Sequence, residues 1–192
     1  MVIGITGGIG SGKSTVCRVL ECMGYVVYYS DSRAAQLMQS DTNIIEELKE
    51  KFSSDIYHDG IIDRKLLASK VFGNIEKLRC LEAIVHPRVM EDLQKFITAH
   101  SQNKFVFVES AIMLESKLNH LLDAIITISA PTYLRIERVI KRDHTSPQAV
   151  EKRIAAQMSD SEREKLSNYT IVCDDHKCVT TQLLAILEKV SF

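Results

Sequence analysis

The sequence predicts an α/β fold: a parallel sheet flanked by helices, interrupted by a helical insertion. Three observations predict it. Short apolar runs at residues 2–6, 26–29, 105–108, 124–128 and, more weakly, 170–173 have strand length and are separated by helical periodicity. Apolar strands that alternate with helices imply a parallel sheet covered on both faces. A glycine-rich loop joins the first strand to the first helix, and the block from about 41 to 100 reads as helix without a convincing strand.

The helices follow in order. Residues 14–23 carry helical periodicity and end at Gly24, where a helix C-cap glycine is expected. Residues 31–39 form a short helix after the second strand. In the middle block, 43–52, 63–72, 75–85 and 87–100 all have helical periodicity. Asp63 fits an N-cap, Pro87 a first helical position, and Asp59-Gly60 a turn. Later helices are expected at about 132–143 and 147–157, with Ser146-Pro147 as cap and first position of the second. A closing helix is expected at 178–189. The chain reads as one domain over 1–192, with a core at about 1–40 and 101–192, an insertion at about 41–100 and a lid at about 132–165.

Composition narrows the function classes. The chain has 192 residues, 45% hydrophobic and 26% charged, which suits a single domain with a sizeable core. A formal net charge of −1 lacks the basic excess of a nucleic-acid binder. No apolar stretch approaches a membrane span, and the opening apolar run is too short for a signal peptide. The five cysteines are odd in number and form no C-x-x-C pair, so the expected compartment is the cytoplasm, with reduced thiols.

Gly7-Gly8-Ile9-Gly10-Ser11-Gly12-Lys13-Ser14 matches the phosphate-binding P-loop in full, between a strand and a helix. Its expected fold is therefore the P-loop nucleoside-triphosphate hydrolase type. Gly8, Gly10, Ser11 and Gly12 let successive N–H groups turn toward phosphate oxygens, and the following helix start adds positive potential. Lys13 reaches the terminal phosphates, Ser14 offers its hydroxyl to Mg²⁺, and Thr15 either caps the helix or touches the α-phosphate. Such a loop serves GTPases, motor ATPases and small-molecule kinases alike. No Asn-Lys-x-Asp or Asp-x-x-Gly motif occurs, which disfavours a GTPase.

Candidate chemistry lies at strand ends. Asp31 follows the second strand, where carboxyl ends of parallel strands face a site. It is placed to reach an acceptor hydroxyl beside the γ-phosphate and to cap the helix at 32–39, two roles that can coexist. Glu109 ends the third strand and either holds Mg²⁺ through water or caps the strand. Arg135, Arg138, Arg142, Arg153 and Arg163 form a late basic cluster, as expected of a lid that brings positive charge over a moving phosphoryl group. Each one singly also fits a solvated charged face. Residues 173–178 have the composition of a metal cluster but the spacing of no standard zinc site. His86, alone before Pro87, reads as structural.

Taken together, these residues resemble the dephospho-coenzyme A kinase family along nearly the whole chain. The resemblance rests on residues 4–15, Asp31, Asp59-Gly60 with Asp63-Arg64, His86-Pro87, Arg142-Asp143, and Arg153-Ile154-Ala155-Ala156-Gln157. Departures are Ile62 for leucine, Tyr29 for an earlier aspartate, Glu109-Ser110-Ala111 for Asp-Val-Pro, and Cys173-Asp174-Asp175 for an asparagine-rich turn. The resemblance implies that ATP, with Mg²⁺, phosphorylates the ribose 3′-hydroxyl of dephospho-coenzyme A, the last step of coenzyme A biosynthesis. It implies Lys13, Asp31 and Arg142 in catalysis, and Asp31, Arg64, His86 and Glu109 near the acceptor. The rival expectations are another P-loop nucleotide or small-metabolite kinase, and a nucleotide-dependent regulator. The oligomeric state is left open.

Overall fold

The first apolar run forms the central strand of a five-stranded sheet. A computed structural model describes residues 1–190. It begins with β1 (Val2–Thr6), α1 (Lys13–Cys22) and β2 (Val26–Tyr29). The middle holds α2 (Ser30–Ser40), α3 (Thr42–Phe52), β3 (Tyr57–His58), β4 (Ile61–Ile62), α4 (Arg64–Val71) and α5 (Ile75–Ala99). Then come β5 (Val106–Glu109), β6 (Ala124–Ser129), α6 (Thr132–Asp143), α7 (Pro147–Ala155), α8 (Asp160–Lys165), β7 (Tyr169–Val172) and α9 (Val179–Lys189).

The chain divides into two compact units: Met1–Tyr28 with the chain from His100 onward, and Tyr29–Ala99. In the first, the strand order is β2-β5-β1-β6-β7, with β1 parallel to β5 and β6, and β6 parallel to β7. Ile3, Ile5, Phe107, Ile126, Ile128 and Ile171 are inaccessible to water, as expected of strands covered by helices. α1 packs against β1 and α9, α9 against β7, and α8 against β6. Parallel pairing puts the carboxyl ends of β1, β5 and β6 on one edge, where β1 feeds the glycine-rich loop.

The second unit is helical, with α2, α3 and α4 packed on α5. Ile44, Leu48 and Phe52 recur every fourth residue on α3 and bury one stripe of it. Asp41 caps α3 by accepting from the Ile44 N–H at 3.1 Å. Asp63 caps α4 as expected, accepting from Lys65 and Leu66. This unit starts at Tyr29, earlier than the expected residue 41. The reason is α2, which a two-pronged ion pair ties to α5: Arg33 Nε to Asp92 Oδ2 at 2.8 Å and Nη2 to Oδ1 at 2.5 Å.

Three local expectations need correction. Residues 75–85 and 87–100 are one helix, and Pro87 lies inside it rather than at a start. A proline there removes one backbone donor, but Ile84, Val85, Val89 and Leu93 bury side chains on both sides of it, and that packing carries the helix through. Secondly, the middle block does contain strands. β3 and β4 pair antiparallel across Asp59 (φ 49°) and Gly60 (φ 78°), a two-residue turn with both central residues left-handed. Strands of two residues are too short to show periodicity. Lastly, Asp31 is not an N-cap: α2 starts at Ser30, and no side chain caps it. Unanticipated, too, is α8, whose Ser159 and Glu162 form a reciprocal capping box.

Candidate active site

The loop between β1 and α1 ends at Gly12, which serves as N-cap of α1 with φ 105° and no side-chain cap. No acidic residue occupies the first turn of α1. The positive end of the helix dipole is therefore not compensated by the helix's own first turn or by a side-chain cap, which suits an anion site. Lys13 donates from Nζ to the Gly7 carbonyl at 2.8 Å, folding its ammonium back over the loop. Ser14 and Thr15 are exposed on the first turn. Ser11 is buried, and its Oγ has no hydrogen-bond partner, nor does the buried Oγ1 of Thr6.

Helix α6 lies directly on this loop. A Cβ on Gly8 would stand 2.2 Å from Nη2 of Arg135, and one on Gly10 would stand 2.5 Å from the Arg135 carbonyl oxygen. Gly10 also has φ 77°, so both space and backbone demand glycine there. Arg135 donates from Nε to the Ile9 carbonyl at 2.9 Å and pairs with Asp160 through Nη1. Arg138 donates to the Gly10 carbonyl at 3.4 Å, to the Cys173 carbonyl at 3.0 Å and to Asp175 Oδ1 at 2.5 Å.

Four of the five late arginines thus separate into two groups, and Arg138 is half-buried between them. Arg135 and Arg163 are buried, at 2% and 0% exposure, so neither belongs to the solvated face that either one alone suggests in sequence. Arg142 and Arg153 are exposed and share Asp143. Their hydrogen bonds, Arg142's first, hold the Asp143 carboxyl well below the usual carboxylate range. Sequence reasoning missed Asp160 and gave Gln157 no role. The Ser-x-x-Glu at 159–162 would have found the helix start that places Asp160.

Glu109 ends β5 opposite Ile5 of β1 and is half-buried. It and Lys13 both act on the buried Cys17 thiol. Burial, then Glu109 and Glu21, push that thiol up to about 12, with Lys13 opposing. The residues of 173–178 are engaged otherwise than in a metal cluster: Asp174 caps the His176 and Lys177 N–H groups, Asp175 pairs with Arg138, and Cys178 precedes α9.

In the helical unit, Asp31 is exposed in the first turn of α2. Arg64 opens α4 and, with His58, Asp59, Ile61 and Lys65, lines an open depression of about 550 Å³. His86 is half-buried in mid-α5, so its expected place at a helix start is corrected along with Pro87.

The sequence pattern of dephospho-CoA kinase matches residues 1–178. The chain belongs to the dephospho-CoA kinase family. A dephospho-CoA kinase from Bacteroides fragilis is 35% identical over 96% of this chain and 90% of its own length. Among solved structures, a Thermus thermophilus protein, 34% identical, superposes with a TM-score of 0.83 over 99% of this chain and 95% of that one. Dephospho-CoA kinase from Campylobacter jejuni, 25% identical, does so with a TM-score of 0.71 over 99% and 96%. Family membership covers both units, because the matched residues include the whole helical block. Among the described residues, no helix is long and apolar enough to cross a membrane.

Proposed function

We propose that this chain transfers the γ-phosphoryl group of ATP to the ribose 3′-hydroxyl of dephospho-coenzyme A, giving coenzyme A and ADP, and does so in the cytoplasm. The observation that carries the reading is the uncapped start of α1, joined to Lys13 and a full P-loop in a chain of this family. Phosphoryl transfer asks little covalent work of a protein. It asks for positioning and for positive charge where oxygens gain negative charge.

In the step, the acceptor oxygen forms a bond to the γ-phosphorus while the bond from that phosphorus to the β,γ-bridging oxygen breaks. The hydroxyl proton passes to the Asp31 carboxylate, and ADP leaves with the electron pair. The N–H groups of the loop and of the first turn of α1 hold the phosphates. Lys13 leaves the Gly7 carbonyl for the β- and γ-phosphate oxygens. Arg142, exposed and tied only to its neighbour Asp143 among the described contacts, is free to swing onto the moving phosphoryl group. Arg64 and His86 bind the acceptor, and Glu109 bounds the site.

The residues also suit Mg²⁺, an ion that takes few protein ligands and several from phosphate and water. Ser14 exposes a hydroxyl beside the anion site and would hold it; Mg²⁺ would neutralise charge on the β- and γ-phosphates.

The test is ADP release from ATP and Mg²⁺ with a panel of acceptors. Dephospho-coenzyme A should stimulate release far more than AMP, CMP, shikimate or adenosine. A better rate with AMP, CMP or shikimate would overturn the acceptor assignment, and no transfer to any acceptor would leave a nucleotide-dependent regulator.

A further inference from the structure

The loop residue Ile9 is held from both sides by residues that follow β6, Arg135 on α6 and Gln157 between α7 and α8. Its N–H donates to Gln157 Oε1 at 2.9 Å, and its carbonyl accepts from Arg135 Nε at 2.9 Å. Those two groups belong to the two peptide planes that flank Ile9, so both planes are fixed. In a trans peptide the C=O and the next N–H point in opposite directions. Tying the Ile9 carbonyl toward α6 therefore aims the Gly10 N–H away from α6.

Arg135 is itself held. Its Nη1 pairs with Asp160, whose other oxygen accepts from Arg163 Nη1 at 2.9 Å. Arg163 is fully buried, and its Nε and Nη2 have no partner. One carboxylate thus serves two buried guanidinium groups. Packed apolar side chains would be a simpler way to stabilise this spot, since buried ion pairs add little stability for what they cost in desolvation. Such an arrangement is better explained by what it holds in place.

We infer that Arg135, braced by Asp160 and Arg163, is a positioning residue that presets the phosphate-binding loop and so raises affinity for the nucleotide, with Gln157 holding the other side of Ile9. It touches no substrate. A loop fixed before binding does not lose conformational freedom on binding, and affinity rises accordingly. The inference uses the nucleotide half of the proposed function and not the identity of the acceptor.

The test is binding of a non-hydrolysable ATP analogue with Mg²⁺ by calorimetry, beside the melting temperature and the KM for dephospho-coenzyme A. Arg135→Lys keeps a charge for Asp160, but its single ammonium cannot also hold Ile9 as the guanidinium does. It should melt near the wild-type temperature yet bind the analogue about tenfold more weakly, with the acceptor KM within about twofold. A plain core ion pair predicts the reverse: lysine restores melting temperature and affinity together, and that result overturns the inference. Gln157→Ala, at a partly exposed position, decides the matter if the Arg135 variant does not fold. It too should weaken the analogue severalfold, whereas an unchanged dissociation constant overturns the inference. The double variant should lose less than the product of the single losses, because both act on one residue. Failure of dephospho-coenzyme A as acceptor would leave these binding results standing.

Discussion

Arg142 and Asp143, adjacent in sequence, clasp each other with two parallel hydrogen bonds, Nε to Oδ1 at 2.6 Å and Nη2 to Oδ2 at 3.0 Å. Arg153 adds a third at 2.8 Å to Oδ2. The cluster is exposed, and surface ion pairs of this kind contribute little to stability. Releasing Arg142 to a phosphoryl group is therefore cheap. If Arg142 meets the phosphoryl group only in the transition state, Arg142→Ala should lower kcat at least tenfold while changing ATP affinity much less. An ATP dissociation constant weakened as much as kcat would show that Arg142 holds the ground state instead.

The same clasp sets a pH expectation. Hydrogen bonds from Arg142 and then Arg153 depress the Asp143 carboxyl. A depressed carboxylate contributes stability above its unfolded pKa, about 3.9, and loses it only as pH falls through the lower folded value. Asp143 should stay ionised throughout the working range. Asp143→Asn should accordingly leave the shape of the kcat profile between pH 6 and pH 9 unchanged. An inflection present in the wild type and lost in the variant would mean that Asp143 titrates during turnover.

Lys13→Ala should abolish most of the chemistry without unfolding the protein. The ammonium's bond to the Gly7 carbonyl is a local one within the loop. A charge aimed at a developing phosphoryl transition state is worth about 3–4 kcal/mol, so kcat/KM should fall by two orders of magnitude or more. The apo melting temperature should move by no more than a few degrees. Near-normal turnover would remove Lys13 from the mechanism.

Much of this architecture was legible in the sequence because its signals are local. The P-loop sits between a strand and a helix, and Ser146 caps α7 by accepting from Ala149 just where Ser-Pro announces it. What was illegible depends on partners far along the chain. Arg135 looks like one more charge on a mixed helix until Asp160, 25 positions on, and Ile9, 126 positions back, close around it. Pro87 misled for a related reason. Its local preference is to start a helix, and packing along α5 overrides it.

The buried thiol of Cys17 offers a chemical check on the site's surroundings. Burial raises it from 9.0 to about 12, with Glu109 and Glu21 adding to the shift. The folded state thus holds this proton more tightly than the unfolded one. The resulting stability is complete below about pH 9 and drains away as pH rises toward 12. At pH 8 iodoacetamide should modify the exposed Cys22 and Cys178 first, the latter with a thiol lowered by its hydrogen bond to Thr181. Cys17 should react only after unfolding. Early labelling of Cys17 would show that α1 opens readily from β1.

The last prediction concerns Asp31, and the helix boundary sharpens it. Sequence alone left two roles open, proton acceptor or cap of the following helix. The helix starts at Ser30 with no side-chain cap, so Asp31 lies in the first turn and its capping role falls away. What remains structurally is a carboxylate near a helix N-terminus, worth about 0.3–1 kcal/mol through the dipole. Asp31→Asn keeps the shape and gives up that small term, so its melting temperature should drop by no more than a few degrees. A positioned general base typically contributes about 10²–10⁴-fold. If Asp31 receives the ribose proton, the variant should bind ATP and dephospho-coenzyme A normally and transfer phosphate at least about a hundredfold more slowly. The loss should be in kcat, because asparagine cannot take the proton as the carboxylate does. A kcat within a few fold of wild type would clear Asp31 of the role. Glu109, at the end of β5, would then be the carboxylate to replace next.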